Sequence, residues 1–204
     1  AGFIVPKDGY LKKVKQRCEE VGALLIVDEI QTGIGRTGKF WGFEHFEIIP
    51  DIIISGKGLG GGMPIGAFIA QKKLMDVLKE HPTLGHITTF GGHPVIASAG
   101  VATVNTIQNS TLIEDTLEKE QLIRSLLKHP LIKEIRGKGL MLAALVESPE
   151  IAAKIIHRCL ANGLILFFLL FEGRAIRITP PLTISKKEIS KGCKILLEIL
   201  DELS

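Results

Sequence analysis

Lys57 directly follows the apolar run DIIISG (51–56) and is itself followed by GLGGG. A lysine set against a nonpolar strand is costly to keep charged, so burial is expected here to favour the neutral amine. A neutral amine can form a Schiff base with a carbonyl compound. The flanking glycines allow backbone to approach a ligand closely. Upstream, Asp28 closes a second apolar run within ALLIVDEIQTG (23–33). A carboxylate there suits a cationic partner such as a protonated heteroaromatic nitrogen, because a buried charge needs pairing. Both residues also have plainer readings: Asp28 as the cap of the following turn, Lys57 as a surface lysine with its stem laid along apolar neighbours. Glu29 falls on the opposite side if the strand continues. Gln31 is placed to reach a ligand hydroxyl, and Ser55 joins Lys57, Asp28 and the glycines as a candidate contact.

Other segments carry weaker signals. GIGRTGKF (33–40) matches G-x-x-x-x-G-K, but Phe40 stands where a magnesium-binding Ser or Thr is required. It reads as the wall of a site, not as a nucleotide-triphosphate loop. Thr88 and Thr89, beside Gly91 and Gly92, offer hydroxyl and N–H groups to a phosphate, or else form a threonine-rich strand edge. His86 and His93 lack a third ligand at a sensible spacing, which disfavours a metal site. In FEGRAIRITPPL, alternation puts Ile176 and Ile178 on one face and Arg177 on the other, free to grip a carboxylate. A solvent-facing arginine is the alternative, and it suits Arg174 better.

These residues need a frame. Residues 8–22 read as an amphipathic helix through Leu11, Val14, Cys18 and Val21. Buried strands follow at 24–28 and 51–56, and a third at 65–70, with 71–80 helical. A second glycine-broken loop, LGHITTFGGHP (84–94), leads to a helix over 95–107, which bends near Asn109–Ser110 into a polar helix reaching His129. Beyond it come a strand at 140–146, a helix at 151–163, strands LILFF and AIRIT, and a last helix at 186–203. Continuous apolar strands between helices indicate an α/β class, whose sites lie beyond strand C-termini. The expected division is 1–108 for the first domain and 109–204 for a connecting helix with a small α+β domain.

Composition narrows the function. The 204 residues carry a formal charge of +3 and 5% aromatics, so neither a basic footprint nor a stacking platform for nucleic acid is present. No apolar run reaches 18 residues. Three scattered cysteines point to reduced thiols in a cytoplasmic setting. The opening AGFIVP, without an initiator methionine or leader, is expected of the interior of a longer protein.

LLIVDEIQTGIGRTGKFWGFEHF, PDIIISGKGLGGGMPIGA, TTFGGHP and RITPPL, in this order, closely resemble the class III (omega-type) aminotransferases that use pyridoxal phosphate. The resemblance implies the type I aminotransferase fold: a mostly parallel large-domain sheet with helices, plus an α+β C-terminal small domain. It implies a homodimer that moves an amino group from an amino acid such as acetylornithine, ornithine or 4-aminobutyrate to 2-oxoglutarate. Lys57 would hold pyridoxal phosphate as a Schiff base and transfer protons. Asp28 would pair with the ring nitrogen, and Gln31 would lie near the ring oxygen. Thr89 would reach the phosphate across the dimer interface, and Arg177 would bind the substrate carboxylate. His93 and Ile87 depart from the family pattern. The family's preceding segments, which supply a phosphate-binding turn and a ring-stacking aromatic, lie outside this chain. The chain alone is therefore expected to be inactive and to expose apolar surface. The alternatives are an aminomutase or decarboxylase on the same framework, or an inactive fragment serving as an interaction module.

Overall fold

The computed structural model describes residues 2–83 and 86–204, so the first two residues of the LGHITTFGGHP loop lie outside the described residues. The chain divides into two compact units, one comprising 6–35 and 39–111, the other comprising the first five positions, 36–38 and 112–204.

In the first unit, helix α1 (Tyr10–Val21) ends at Gly22, whose φ of +69° suits a residue without a Cβ. Strand β1 (Ile26–Asp28) pairs in parallel with β2 (Ile52–Gly56), and β2 pairs antiparallel with β3 (Gly66–Ala70). The sheet is therefore mixed. The link from Gly56 to Gly66 is shorter than the dozen or more residues a parallel crossover needs, so β3 must fold back. The core lies on one side, where Leu25, Phe43 and Ile48 pack with Leu11, Val14, Cys18, Val27, Trp41, Phe46 and Ile53. The aromatics after Lys39 build it, with Trp41 edge-on to Phe40 and stacked on Phe43. The strands are less enclosed than their apolar runs suggest, since Ile26, Phe68 and Ile69 are exposed.

The segment expected as one helix over 71–80 is a short α2 (Lys72–Met75) followed by a 3-10 turn (Asp76–Lys79). Helix α3 (Pro94–Gln108) begins with proline in its first turn, where no N–H is needed. A break at Asn109–Thr111 separates it from α4 (Leu112–Leu126), which stops short of His129.

The second unit contains an antiparallel sheet of order β4-β5-β7-β6: β4 (Glu134–Lys138), β5 (Met141–Leu145), β6 (Phe167–Leu169) and β7 (Glu172–Ile178). Strand β4 was not apparent in the sequence, because its EIRGK carries one apolar residue. Helices α5 (Pro149–Ala161) and α6 (Lys186–Glu202) complete the unit. Ser148 caps α5 by accepting from Ile151 N–H, and Ser185 with Glu188 forms a capping box on α6. Leu140, Leu142, Ala144, Ile155, Ile176, Leu196 and Leu200 form the buried interior. Strand β6 exposes Phe167 and Phe168, and its connection to β7 exposes Leu170 and Phe171.

Candidate active site

Asp28 and Lys57 issue from the same end of two adjacent strands. In the parallel register Asp28 lies opposite Ile54, three residues before Lys57. Strand β2 stops at Gly56, and Lys57–Gly60 coils into a 3-10 turn. That turn carries Lys57 past the sheet edge, where its side chain is exposed, and so the buried setting expected for its amine is not found. Lys57 instead holds a φ of +42°, a conformation uncommon outside glycine and concentrated at functional sites.

The surroundings fix this turn. A Cβ on Gly58 would sit 3.5 Å from Ile34 Cβ, and one on Gly61 would come within 2.3 Å of Thr103 Oγ1. Ile34 is buried and has a φ of +57°, a costly choice for a β-branched residue, so the loop carries strain on both sides of the contact.

The two neighbouring carboxylates have separate lives. Asp28 is exposed and uses Oδ1 to accept the Ile30 N–H at 2.9 Å. The turn-capping role is real, and the second oxygen remains available. Glu29 is 1% exposed and accepts from Thr32 Oγ1, Gly42 N–H and Phe43 N–H. It anchors the glycine-rich loop to β1. Gln31 is half-buried in the turn that follows.

Ser55 does not join this group. One residue past Ile54, it projects to the face opposite Asp28, is 1% exposed, and its Oγ has no partner among the described residues. It occupies a buried position on the other face of β2 from the one opposite Asp28. Thr88 and Thr89 lie in an exposed turn closed by Gly91 N–H to Thr88 O. Thr88 Oγ1 lies 2.8 Å from where a Gly91 Cβ would be, so Thr88 folds onto its own turn. Thr89 is exposed.

In the second unit Arg177 lies on β7 between Ala143 of β5 and Phe167 of β6. Its Nε donates to Thr179 Oγ1 at 3.0 Å, and it lines a cavity of about 470 Å³ with Thr179, Pro180 and Ile184. Arg174, by contrast, is exposed and spent on Glu172 at 2.9 and 3.0 Å. Arg36 lies within GIGRTGKF, where no local pattern marks it as a partner of the second unit. Its Nη1 donates to Pro180 O at 2.6 Å and Leu140 O at 3.1 Å.

The first unit thus sets an amine and a carboxylate at one end of its paired strands, and the second unit, by itself, carries an arginine at a cavity on β7. The family model described as aminotransferase class-III matches residues 1–200. The chain belongs to that family. It is 40% identical over 199 residues to acetylornithine aminotransferase of Caldanaerobacter subterraneus subsp. tengcongensis, covering 95% of this chain and 49% of that protein. It is also 40% identical to a leucine/methionine racemase of Thermococcus litoralis over 205 residues, covering 94% of this chain and 45% of that one. Ornithine aminotransferase from Toxoplasma gondii, solved with pyridoxal phosphate at partial occupancy in its active site, superposes with a TM-score of 0.87. Its identity is 34%, over 97% of this chain and 47% of that one. The chain thus spans about half the length of these relatives.

Proposed function

We propose that the intact protein is a pyridoxal-phosphate-dependent aminotransferase that passes an amino group from an ω-amino acid such as acetylornithine, ornithine or 4-aminobutyrate to 2-oxoglutarate. The observation that carries this reading is the placement of Asp28 and Lys57 at one end of paired parallel strands, with Lys57 in a strained turn. Residues 1–108 then belong to the cofactor-binding domain, and 109–204 to the connecting helix and small domain.

When bound, pyridoxal phosphate supplies an electron sink and a carbon that carries the amino group between substrates. Lys57 Nζ would hold it covalently and, once displaced, take and return the substrate Cα proton. Asp28, with an oxygen free beyond its bond to Ile30, would keep the ring nitrogen protonated, since an adjacent anion favours the cationic form. Gln31 would orient the ring oxygen. Exposed Thr89 is suited to reach a phosphate held by a second copy in a homodimer, and the exposed Ile87, Phe90 and Val95 around it favour such a partner. Arg177 would bind the substrate carboxylate in bidentate fashion. Three unbonded cysteines accord with a reducing, cytoplasmic compartment, and among the described residues no helix is long and apolar enough to cross a membrane.

The racemase relative supports a second reading in which the same lysine moves the Cα proton without amino transfer. The two part on product analysis. Transfer consumes an oxo acid and yields a new amino acid, whereas racemisation needs no acceptor. An aminomutase would retain the amino group within one molecule, and a decarboxylase would release carbon dioxide. The first test is the visible spectrum of the intact protein with pyridoxal phosphate, followed by borohydride reduction and peptide mapping. A reduced adduct on Lys57 is expected; an adduct elsewhere, or none, overturns the assignment.

A further inference from the structure

Arg36 sits where the β5–β7 ladder ends. Ladder pairing runs Ala144–Ile176, Ala143–Arg177 and Leu142–Ile178, so continuing the register sets Met141 opposite Thr179 and then Leu140 opposite Pro180. Proline has no N–H and cannot extend the ladder. Arg36 Nη1 supplies the missing donor to both carbonyls, at 2.6 Å for Pro180 O and 3.1 Å for Leu140 O, while Leu140 N–H donates back to Arg36 O at 3.0 Å. Gly139 permits this close passage, because a Cβ there would lie 2.6 Å from Arg36 O.

The clamp closes three residues beyond Arg177, and Thr179, the acceptor for Arg177 Nε, is bonded directly to the clamped Pro180. Neither guanidinium has a carboxylate partner among the described residues. Burial, and then the positive charge of Arg177, push the Arg36 guanidinium below its ordinary range.

We infer that Arg36 is a positioning residue for Arg177: by fixing the Thr179–Pro180 backbone it holds the Arg177 guanidinium ready for a carboxylate. The inference rests on the reading of Arg177 as the carboxylate-binding group. It assigns GIGRTGKF a part in carboxylate recognition through a residue that need not touch the substrate.

The test is glutarate binding to the intact protein by calorimetry, which requires no turnover. Arg36→Ala is expected to weaken binding about tenfold, the order of one lost charged hydrogen bond, and Arg36→Lys, which can reach one carbonyl, about threefold. In an Arg177→Ala background, Arg36→Ala should add nothing, because its effect runs through Arg177. Binding unchanged by Arg36→Ala, additive losses in the double variant, or no glutarate binding by the unsubstituted protein overturns the inference. If Arg36→Ala does not fold, Arg36→Lys decides by the same comparison. Failure of the aminotransferase reading would show separately, as absence of amino transfer and of a reduced adduct on Lys57.

Discussion

Glu29 Oε1 accepts the Phe43 N–H at 2.7 Å, across a loop that leaves β1 and returns to it. The same carboxylate takes Gly42 N–H at 2.9 Å and the Thr32 hydroxyl, so the residue beside the candidate cofactor partner is a fastener. Glu29→Ala leaves two buried N–H groups unpaired and should lower stability by about 3 kcal/mol, with Glu29→Gln milder. Denaturant unfolding of the intact protein measures this. A loss below about 0.5 kcal/mol would show that the loop does not depend on Glu29.

Asp28 should behave oppositely. Its exposed side chain can be replaced in Asp28→Asn with stability held within about 0.5 kcal/mol, since the amide oxygen can still accept from Ile30. Amino transfer should nevertheless fall by about a hundredfold or more, because no anion then holds the ring nitrogen protonated. Paired melting and steady-state assays separate the two effects.

Lys57→Ala in the intact protein should reduce turnover by roughly a thousandfold or more, through loss of both the covalent anchor and the proton carrier. Single-turnover kinetics monitored by absorbance would read this directly. Near-normal rates contradict the role given to Lys57.

The Lys15–Asp51 pair, at 2.9 Å, ties α1 to the start of β2 and gives a pH signature. Asp51 is held below its ordinary 3.8 by the Leu25 N–H and then by Lys15. Lys15 is raised above 10.5 chiefly by its bond to Asp51. A depressed carboxylate contributes stability above its unfolded value that is lost as pH falls through the folded one. A raised lysine contributes below its unfolded value and loses it as pH rises through the folded one. The stability gap between the unsubstituted protein and Asp51→Asn should therefore be flat from about pH 5 to 9 and narrow on both sides. Both groups are partly solvated, so the gap is modest.

Burial pushes the thiols of Cys159 and Cys193 up to about 11. At pH 8 both are held as the neutral, unreactive thiol. A disulfide reagent should label Cys18 alone in the folded protein and all three thiols after denaturation. Rapid native labelling of three would show that α5 and α6 do not pack as described.

Much of this was legible because it is local. A helix spacing through Leu11, Val14 and Cys18, apolar runs ending at Asp28 and Gly56, and the alternation of Ile176, Arg177 and Ile178 each need only a few consecutive residues to declare themselves. Strand β4 failed that test because Glu134–Lys138 earns its place by pairing with β5, not by its own pattern. Lys57 was expected to be buried because its upstream neighbours are apolar. It is exposed because the strand ends one residue earlier and the backbone turns away.

The sequence by itself determined the two strands that deliver Asp28 and Lys57, the side of β7 that carries Arg177, and the family to which the chain belongs. Only the tertiary structure decided that Ser55 faces away from Asp28, that Glu29 is tied to Gly42 and Phe43, and that Arg36 closes a ladder 104 residues distant at Leu140. Periodicity encodes which face a side chain takes within one element. It carries no record of which distant carbonyl will need a donor, since that follows from where strands stop and whether a proline stands at the end.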